Sequence, residues 1–371
     1  MDFDFSDEQK ELQRSARRML EKLCPTTRVR AVLEGEDDFD RSLWSAVAEM
    51  GFCGAAIAEE HGGLGLGYLE LCVIAEELGR ALAPVPFDST VCLFAEILKL
   101  AGSHEQKAKY LPRVAQGALI GTLASSEAKS AGRGAISAIV SGGNLSGVKC
   151  PVLDGSCADF AVVAAYEERD TSPTLFLVEL GSPCVRRDPV ETLDPSRKHA
   201  RLTFEGAPAE RLGARGDGLE ILSRVFDRAA VLVAFQQIGG AERALEMARD
   251  YALQRIAFGR PIGSFQAIKH MLADMFVSLM LARANACYAA WALESGSTEL
   301  PTAAAAARVS ATAAFQHCTT NNIQVHGGIG FTWQFDCHLF YRRSNFLALS
   351  LGSQSQWEAK LIDRMRMRNA A

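Results

Sequence analysis

Apolar and polar positions follow three successive rhythms along the chain. Up to about residue 118 they recur at helical spacing. Leu12, Ala16, Met19, Leu20 and Leu23 make one stripe, as an amphipathic helix requires. Ser6, with Glu8 close behind, stands in front as its cap. Further helices are expected at Ser42–Met50 (closed by Gly51), Tyr68–Leu82, Leu93–Leu100 and Glu105–Leu111, with a glycine loop from Gly62 to Gly67. From Gly117 the rhythm shortens. Runs at Ala118–Ala124, Ala138–Val140, Cys150–Leu153, Phe160–Ala165, Thr174–Val178 and Ala200–Phe204 read as strands, separated by Gly142-Gly143-Asn144 and Asp154-Gly155 turns. From Gly218 the helical period returns. One very long helix starts near Leu219, and Pro301 opens an alanine-rich helix at Thr302–Thr319. The pattern predicts an α+β protein with a helical part at 1–118, a small β domain at 119–217 and a helical bundle at 218–371.

Composition narrows the class. The chain has 371 residues, 48% hydrophobic and 22% charged, with a net charge of −5. That is a globular composition with no basic excess, which argues against nucleic acid as a partner. Ten cysteines occur singly with no C-x-x-C pair, so a zinc site or redox pair is not expected, and a reducing, cytoplasmic location is. The first 24 residues carry charges rather than an apolar core, so no secretory signal is expected. No apolar run of about 18 residues lacks charges, so no membrane span is expected either. The glycine loop lacks the G-K-[ST] that would mark a phosphate cradle, and it reads as a joint between helices.

The most informative stretch is Ala241 to Phe276. Apolar or small residues at Ala244, Leu245, Met247, Ala248, Tyr251, Ala252 and Ile256 continue a helix. Arg255, Phe258, Gly259 and Arg260 then arrive where Gly259 and Pro261 break it, and a second apolar stripe runs from Phe265 to Phe276. A guanidinium forks onto phosphate oxygens, and a ring lies against a base. The same residues also suit a plain helical hairpin with a solvated arginine and a core phenylalanine.

RIAFGRPIGSFQAIKHMLADM resembles the acyl-CoA dehydrogenase signature, R-x-x-F-G followed by P-I-x-x-F-Q. Two further blocks are similar to the same family and stand in its order: QVHGGIGF from Gln324 to Phe331, and EEHGGLG from Glu59 to Gly65. The resemblance implies an FAD-dependent fold of helical domain, small β domain and C-terminal four-helix bundle. It also implies α,β-dehydrogenation of an acyl-CoA, in which a carboxylate takes the α-proton and the flavin takes the β-hydride. Arg255, Phe258, Gln266, Gln324, Gly327 and Gly328 match positions that hold the adenosine diphosphate end of FAD, across a dimer interface into a neighbour's site.

Other family positions are altered. The usual base falls at Leu351 and the alternative base at Ala229, followed by Ala230. Neither side chain accepts a proton. The stretch facing the flavin ring matches Lys149 to Gly155, where Pro151 and Leu153 replace a tryptophan and a threonine. The T-E-P-x-x-G-S-D block is reduced to Ser125-Ser126-Glu127-Ala128-Lys129-Ser130. The reading that follows is a non-catalytic subunit in an α2β2 assembly. A homologous chain would hold the acyl-CoA, and an electron-transfer flavoprotein would accept the electrons. Such assemblies resemble actinobacterial enzymes of sterol side-chain CoA esters. Two alternatives stay open. One is a self-sufficient enzyme with Asp227 or Glu358 as base, although each reads as a surface carboxylate. The other is a flavin-free scaffold.

Overall fold

The computed structural model describes residues 5–127, 136–168 and 170–370. In chain order come helices α1 (Asp7–Leu23), α2 (Thr26–Glu34), α3 (Arg41–Glu49), α4 (Tyr68–Arg80), α5 (Glu96–Ala101) and α6 (His104–Ala115). Strands β1 (Gly121–Ala124), β2 (Ile139–Ser141), β3 (Asn144–Leu153), β4 (Phe160–Glu167), β5 (Thr174–Glu179), β6 (Val185–Val190), β7 (His199–Pro208) and β8 (Glu210–Leu212) follow. The remainder is α7 (Gly218–Gln254), β9 (Ile256–Ala257), β10 (Arg260–Pro261), α8 (Gln266–Glu294), α9 (Leu300–His326), α10 (Cys337–Leu349) and α11 (Gln354–Ala370).

The local starts follow from the sequence. The Ser6 hydroxyl accepts the Gln9 amide at 3.2 Å, and the Gln9 side chain returns the bond to the Ser6 amide at 2.9 Å. The reciprocal partner is thus Gln9, not Glu8. Asp40 caps α3 by accepting Leu43 N at 3.0 Å. The helix expected at Leu93 is preceded by a wider π turn over Asp88–Ala95, all eight residues of it buried, before α5 begins.

Strands β1 to β8 form one mixed sheet in the order β6-β7-β3-β2-β4-β5-β8, with β1 parallel to β4, and β9 and β10 pair by themselves. Strands β6 and β8 have no apolar run to announce them. β6 reads Val-Arg-Arg-Asp-Pro-Val and lies at the sheet edge, where proline and charge are tolerated because one side of the ladder is unpaired.

Two compact units emerge, and they cut across the consecutive blocks of the sequence. One comprises Met1–Val29, Gly67–Ala83 and Ala230–Ala371; the other comprises Arg30–Leu66 and Pro84–Ala229. In the first, α4 crosses α7 at close range. A Cβ on Gly79 would sit 2.1 Å from the Gln236 carbonyl oxygen, and one on Gly239 would sit 2.0 Å from that of Glu76. Beside that crossing, Arg283 pairs with fully buried Glu76 at 2.8 Å, and Arg17 pairs with Glu77 at 2.7 Å. Three long helices, α7, α8 and α9, carry the C-terminal part, with α10 and α11 packed on α9. In the second unit, Arg197 lies between Asp88 (2.5 Å) and Asp154 (3.2 Å).

No disulfide joins any of the ten cysteines. Among the described residues no group of histidine, cysteine and carboxylate side chains is arranged to hold a metal. One described helix, α8, is long and apolar enough by length and composition to cross a membrane, with 39% of that window buried. The sequence reading did not single it out, because charges interrupt the run. A long bundle helix meets the same test, and α8 packs along α9.

Candidate functional site

The hairpin after α7 is built by a break in hydrogen bonding. Arg255 N closes the last helical turn on Tyr251 O at 2.8 Å, and Ile262 N then bonds back to Arg255 O at 2.8 Å. Between these points β9 and β10 pair antiparallel around a two-residue turn, Phe258-Gly259, with φ of 53° and 78°. Positive φ at both central residues is the primed turn that suits a two-residue hairpin. Phenylalanine is an unusual occupant, because a Cβ is strained there. Its ring is 97% exposed and gains no burial in return. The plain-hairpin alternative put this ring in the core; the structure puts it outside.

Arg255 and Gln266 are also exposed, Gln266 as the first residue of α8. The α8 N-cap is Phe265, which has no side-chain acceptor for the first-turn amides. At the end of α9, Gln324, Gly327 and Gly328 are exposed as well. Gly327 adopts φ 63°, ψ −143°, a region open essentially to glycine alone. A Cβ on Gly327 or Gly328 would meet nothing within 4 Å.

Residues that the sequence reading missed bring the two blocks together. Tyr251 stacks on His326 at 4.1 Å between centroids, and Phe335 meets both rings edge-on, at 6.4 and 5.8 Å. His326 Nδ1 lies 2.8 Å from Asn322 O, so it must carry the proton, since a carbonyl only accepts. Burial holds the His326 pKa below its ordinary value. Tyr251 lies one turn before Arg255 and His326 two residues after Gln324, so both were within reach of a helical-wheel reading.

This corner fits the diphosphate end of a dinucleotide. Its groups include the exposed guanidiniums of Arg255 and Arg260, two exposed amides, an open glycine pair and an uncapped helix N-terminus. These are donors and open backbone, suited to an anion with a flat ring attached.

The positions where the resemblance expects a base are filled with hydrocarbon. Ala229 is 0% exposed in α7. Leu351 is 9% exposed, in a turn where Trp357 Nε1 donates to its carbonyl at 3.1 Å. Four residues earlier, the Leu347 carbonyl accepts from Arg308, whose side chain is 1% exposed and also donates to Gln237 Oε1 (2.7 Å) and Thr312 Oγ1 (3.1 Å). No carboxylate pairs with Arg308 among the described residues, and burial pulls its pKa down to about 9.

The two alternative bases differ. Glu358 is exposed and accepts from Gln354 at 2.9 Å. Asp227 is 5% exposed, which corrects its reading as a surface carboxylate.

In the sheet unit, Lys149 is buried and pairs with Glu127 at 2.6 Å. Glu127 also accepts the Ser137 and Ala138 amides, at 2.9 and 3.1 Å, so its oxygens are engaged. The β3–β7 pairing slips between Lys149 and Val152, leaving Pro151 exposed. Ala128, Lys129 and Ser130 lie outside the described residues.

Known proteins are similar to this chain in sequence and in architecture. Residues 6–118 match the family described as acyl-CoA dehydrogenase, N-terminal domain, and residues 216–362 match acyl-CoA dehydrogenase, C-terminal domain. The chain is 35% identical over 353 residues to the acyl-CoA dehydrogenase IpdE2 of Mycobacterium tuberculosis, covering 94% of each. Among solved structures, it is 32% identical to a chain of the Tcur3481-Tcur3483 steroid ACAD variant, with a TM-score of 0.88 over 98% of this chain and 99% of that one. It is 27% identical to a chain of the ChsE4-ChsE5 complex from Mycobacterium tuberculosis, with a TM-score of 0.90 over 99% of both.

Proposed function

Because the chain belongs to the acyl-CoA dehydrogenase family, oxidoreductases acting on CH–CH groups, we propose that it is the subunit that completes a partner's cofactor site rather than the one that performs proton abstraction. The carrying observation is the contrast between its two sets of family positions. Arg255, Phe258, Gln266, Gln324, Gly327 and Gly328 are exposed, whereas Leu351 and Ala229 are buried hydrocarbon.

A base for an α-proton needs a carboxylate in a dry site with a raised pKa; a leucine and an alanine cannot take that part. In this reading Arg255 and the amides of Gln266 and Gln324 bind the diphosphate of FAD. Phe258 lies against its flat adenosine end, and the glycine pair lets the backbone approach. When bound, FAD supplies the hydride acceptor. The acyl-CoA and its base belong to a homologous chain in an α2β2 assembly, and an electron-transfer flavoprotein takes the electrons onward. Likeness to a chain of the Tcur3481-Tcur3483 steroid ACAD supports a bulky, steroid-type CoA ester, and likeness to a chain of the ChsE4-ChsE5 complex supports a mixed assembly.

The test is co-expression with a homologous acyl-CoA dehydrogenase chain from the same organism. The expected product is a yellow mixed complex with fewer FAD than chains, active only when both are present. Oxidation of acyl-CoA by this chain purified alone, with FAD bound, overturns the reading. A complex without absorbance near 450 nm favours a flavin-free scaffold.

A further inference from the structure

The hairpin carries a second arginine that the proposed clamp does not use. Arg260 lies on β10, directly across the ladder from Ala257. Its guanidinium carbon is 4.1 Å from the centroid of the Phe265 ring. The same Phe265 ring meets Phe258 at 6.2 Å with planes 85° apart. One ring therefore receives a cation from β10 and a second ring from the turn itself. Phe265 itself is fixed as the N-cap of α8, with its amide bonded to Ile262 O at 3.0 Å.

We infer that Arg260 is a positioning residue, which through Phe265 locks the ring of Phe258 in the orientation it presents outward, and that Arg255 alone carries the phosphate charge. The inference rests on the reading of this corner as an FAD half-site.

The physical argument starts from the strain. Phe258 sits at φ 53°, which a non-glycine residue leaves unless its surroundings hold it there. Its ring is almost wholly in solvent, so burial does not hold it. The edge-on contact with Phe265 and the cation on that ring are the side-chain contacts that oppose relaxation of the tip. A ring already ordered loses less freedom when a ligand arrives, so order at the tip is converted into affinity. A guanidinium laid on an aromatic face keeps its in-plane N–H groups, so it is the salt dependence of binding that separates a positioning Arg260 from a phosphate ligand.

The test uses the full chain assembled with its partner, FAD as titrant and flavin fluorescence as readout, over a range of salt concentrations. An exposed cation–π contact corresponds to roughly a two- to fivefold loss of FAD affinity in Arg260→Met. The salt dependence should be that of the unmodified complex, because no phosphate contact is lost. Arg260→Lys, which keeps a cation over the ring, should recover most of the loss. Phe265→Leu should reproduce it. Arg255→Met should weaken binding more and flatten the salt dependence.

An Arg260→Met variant that flattens the salt dependence as Arg255→Met does would make Arg260 a phosphate ligand and overturn the inference. So would unchanged affinity in both Arg260→Met and Phe265→Leu. If Arg255→Met itself leaves affinity and salt dependence unchanged, the half-site reading fails instead.

Discussion

The Tyr251 ring lies against the His326 ring, 4.1 Å between centroids and 24° from parallel. The first belongs to the last turns of α7 and the second to the last residue of α9. That one contact joins two motifs 69 positions apart in their key residues, Arg255 and Gln324.

It should also make the corner sensitive to acid. Burial lowers the His326 pKa, and the bond to Asn322 O opposes this only in part. The folded state therefore favours the neutral ring. The stability it contributes is fully present above the unfolded value of 6.5 and is lost as pH falls through the lower folded value. Thermal unfolding followed from pH 7.5 to 5 should show a steeper fall for the unmodified chain than for His326→Phe, which keeps the stack and cannot take a proton. Parallel curves would contradict this.

Two neighbouring glycines should separate folding from binding. Gly327 needs its backbone angles, so Gly327→Ala should destabilise the chain by about 1–3 kcal/mol and also weaken FAD binding. At Gly328 the φ is not positive and a Cβ would meet nothing within 4 Å. Gly328→Ala should fold normally and lose FAD affinity alone. Urea unfolding and flavin titration on both variants distinguish the two effects.

Arg308 is a buried cation whose partners are neutral. Arg308→Met should strand the Leu347 carbonyl and the Gln237 side chain, destabilising by about 1–3 kcal/mol. Denaturant unfolding of the whole chain measures it. An unchanged midpoint would mean that water or Thr312 satisfies both groups.

The two alternative bases differ in the stability cost expected of their replacement, not in turnover. Glu358→Gln alters an exposed group that accepts from Gln354, and turnover of the mixed complex should stay within about twofold, since surface substitutions seldom matter more. Asp227→Asn alters a buried group and should cost about 1–3 kcal/mol of stability with turnover retained. A loss of turnover in either variant, with FAD still bound, would identify an unconventional base.

Much of the architecture was legible in one dimension, because helical and alternating rhythms are properties of neighbouring residues. The long helix expected near Leu219 begins at Gly218, and the run at Thr174–Val178 lies in β5. Strand β6 was hidden, since an edge strand can be polar and need not alternate. The π turn at Asp88–Ala95 was hidden too, because its apolar residues fit an ordinary helix equally well.

At the site, residue identity alone established that Leu351 and Ala229 cannot accept a proton and that Arg255 and Gln324 can donate hydrogen bonds. Tertiary structure decided which of these face solvent. It turned Phe258 outward on a strained turn, buried Asp227, and set Tyr251 against His326. The reason is that side-chain chemistry is written at each position, whereas exposure and proximity arise only when segments far apart in sequence exclude water from one another.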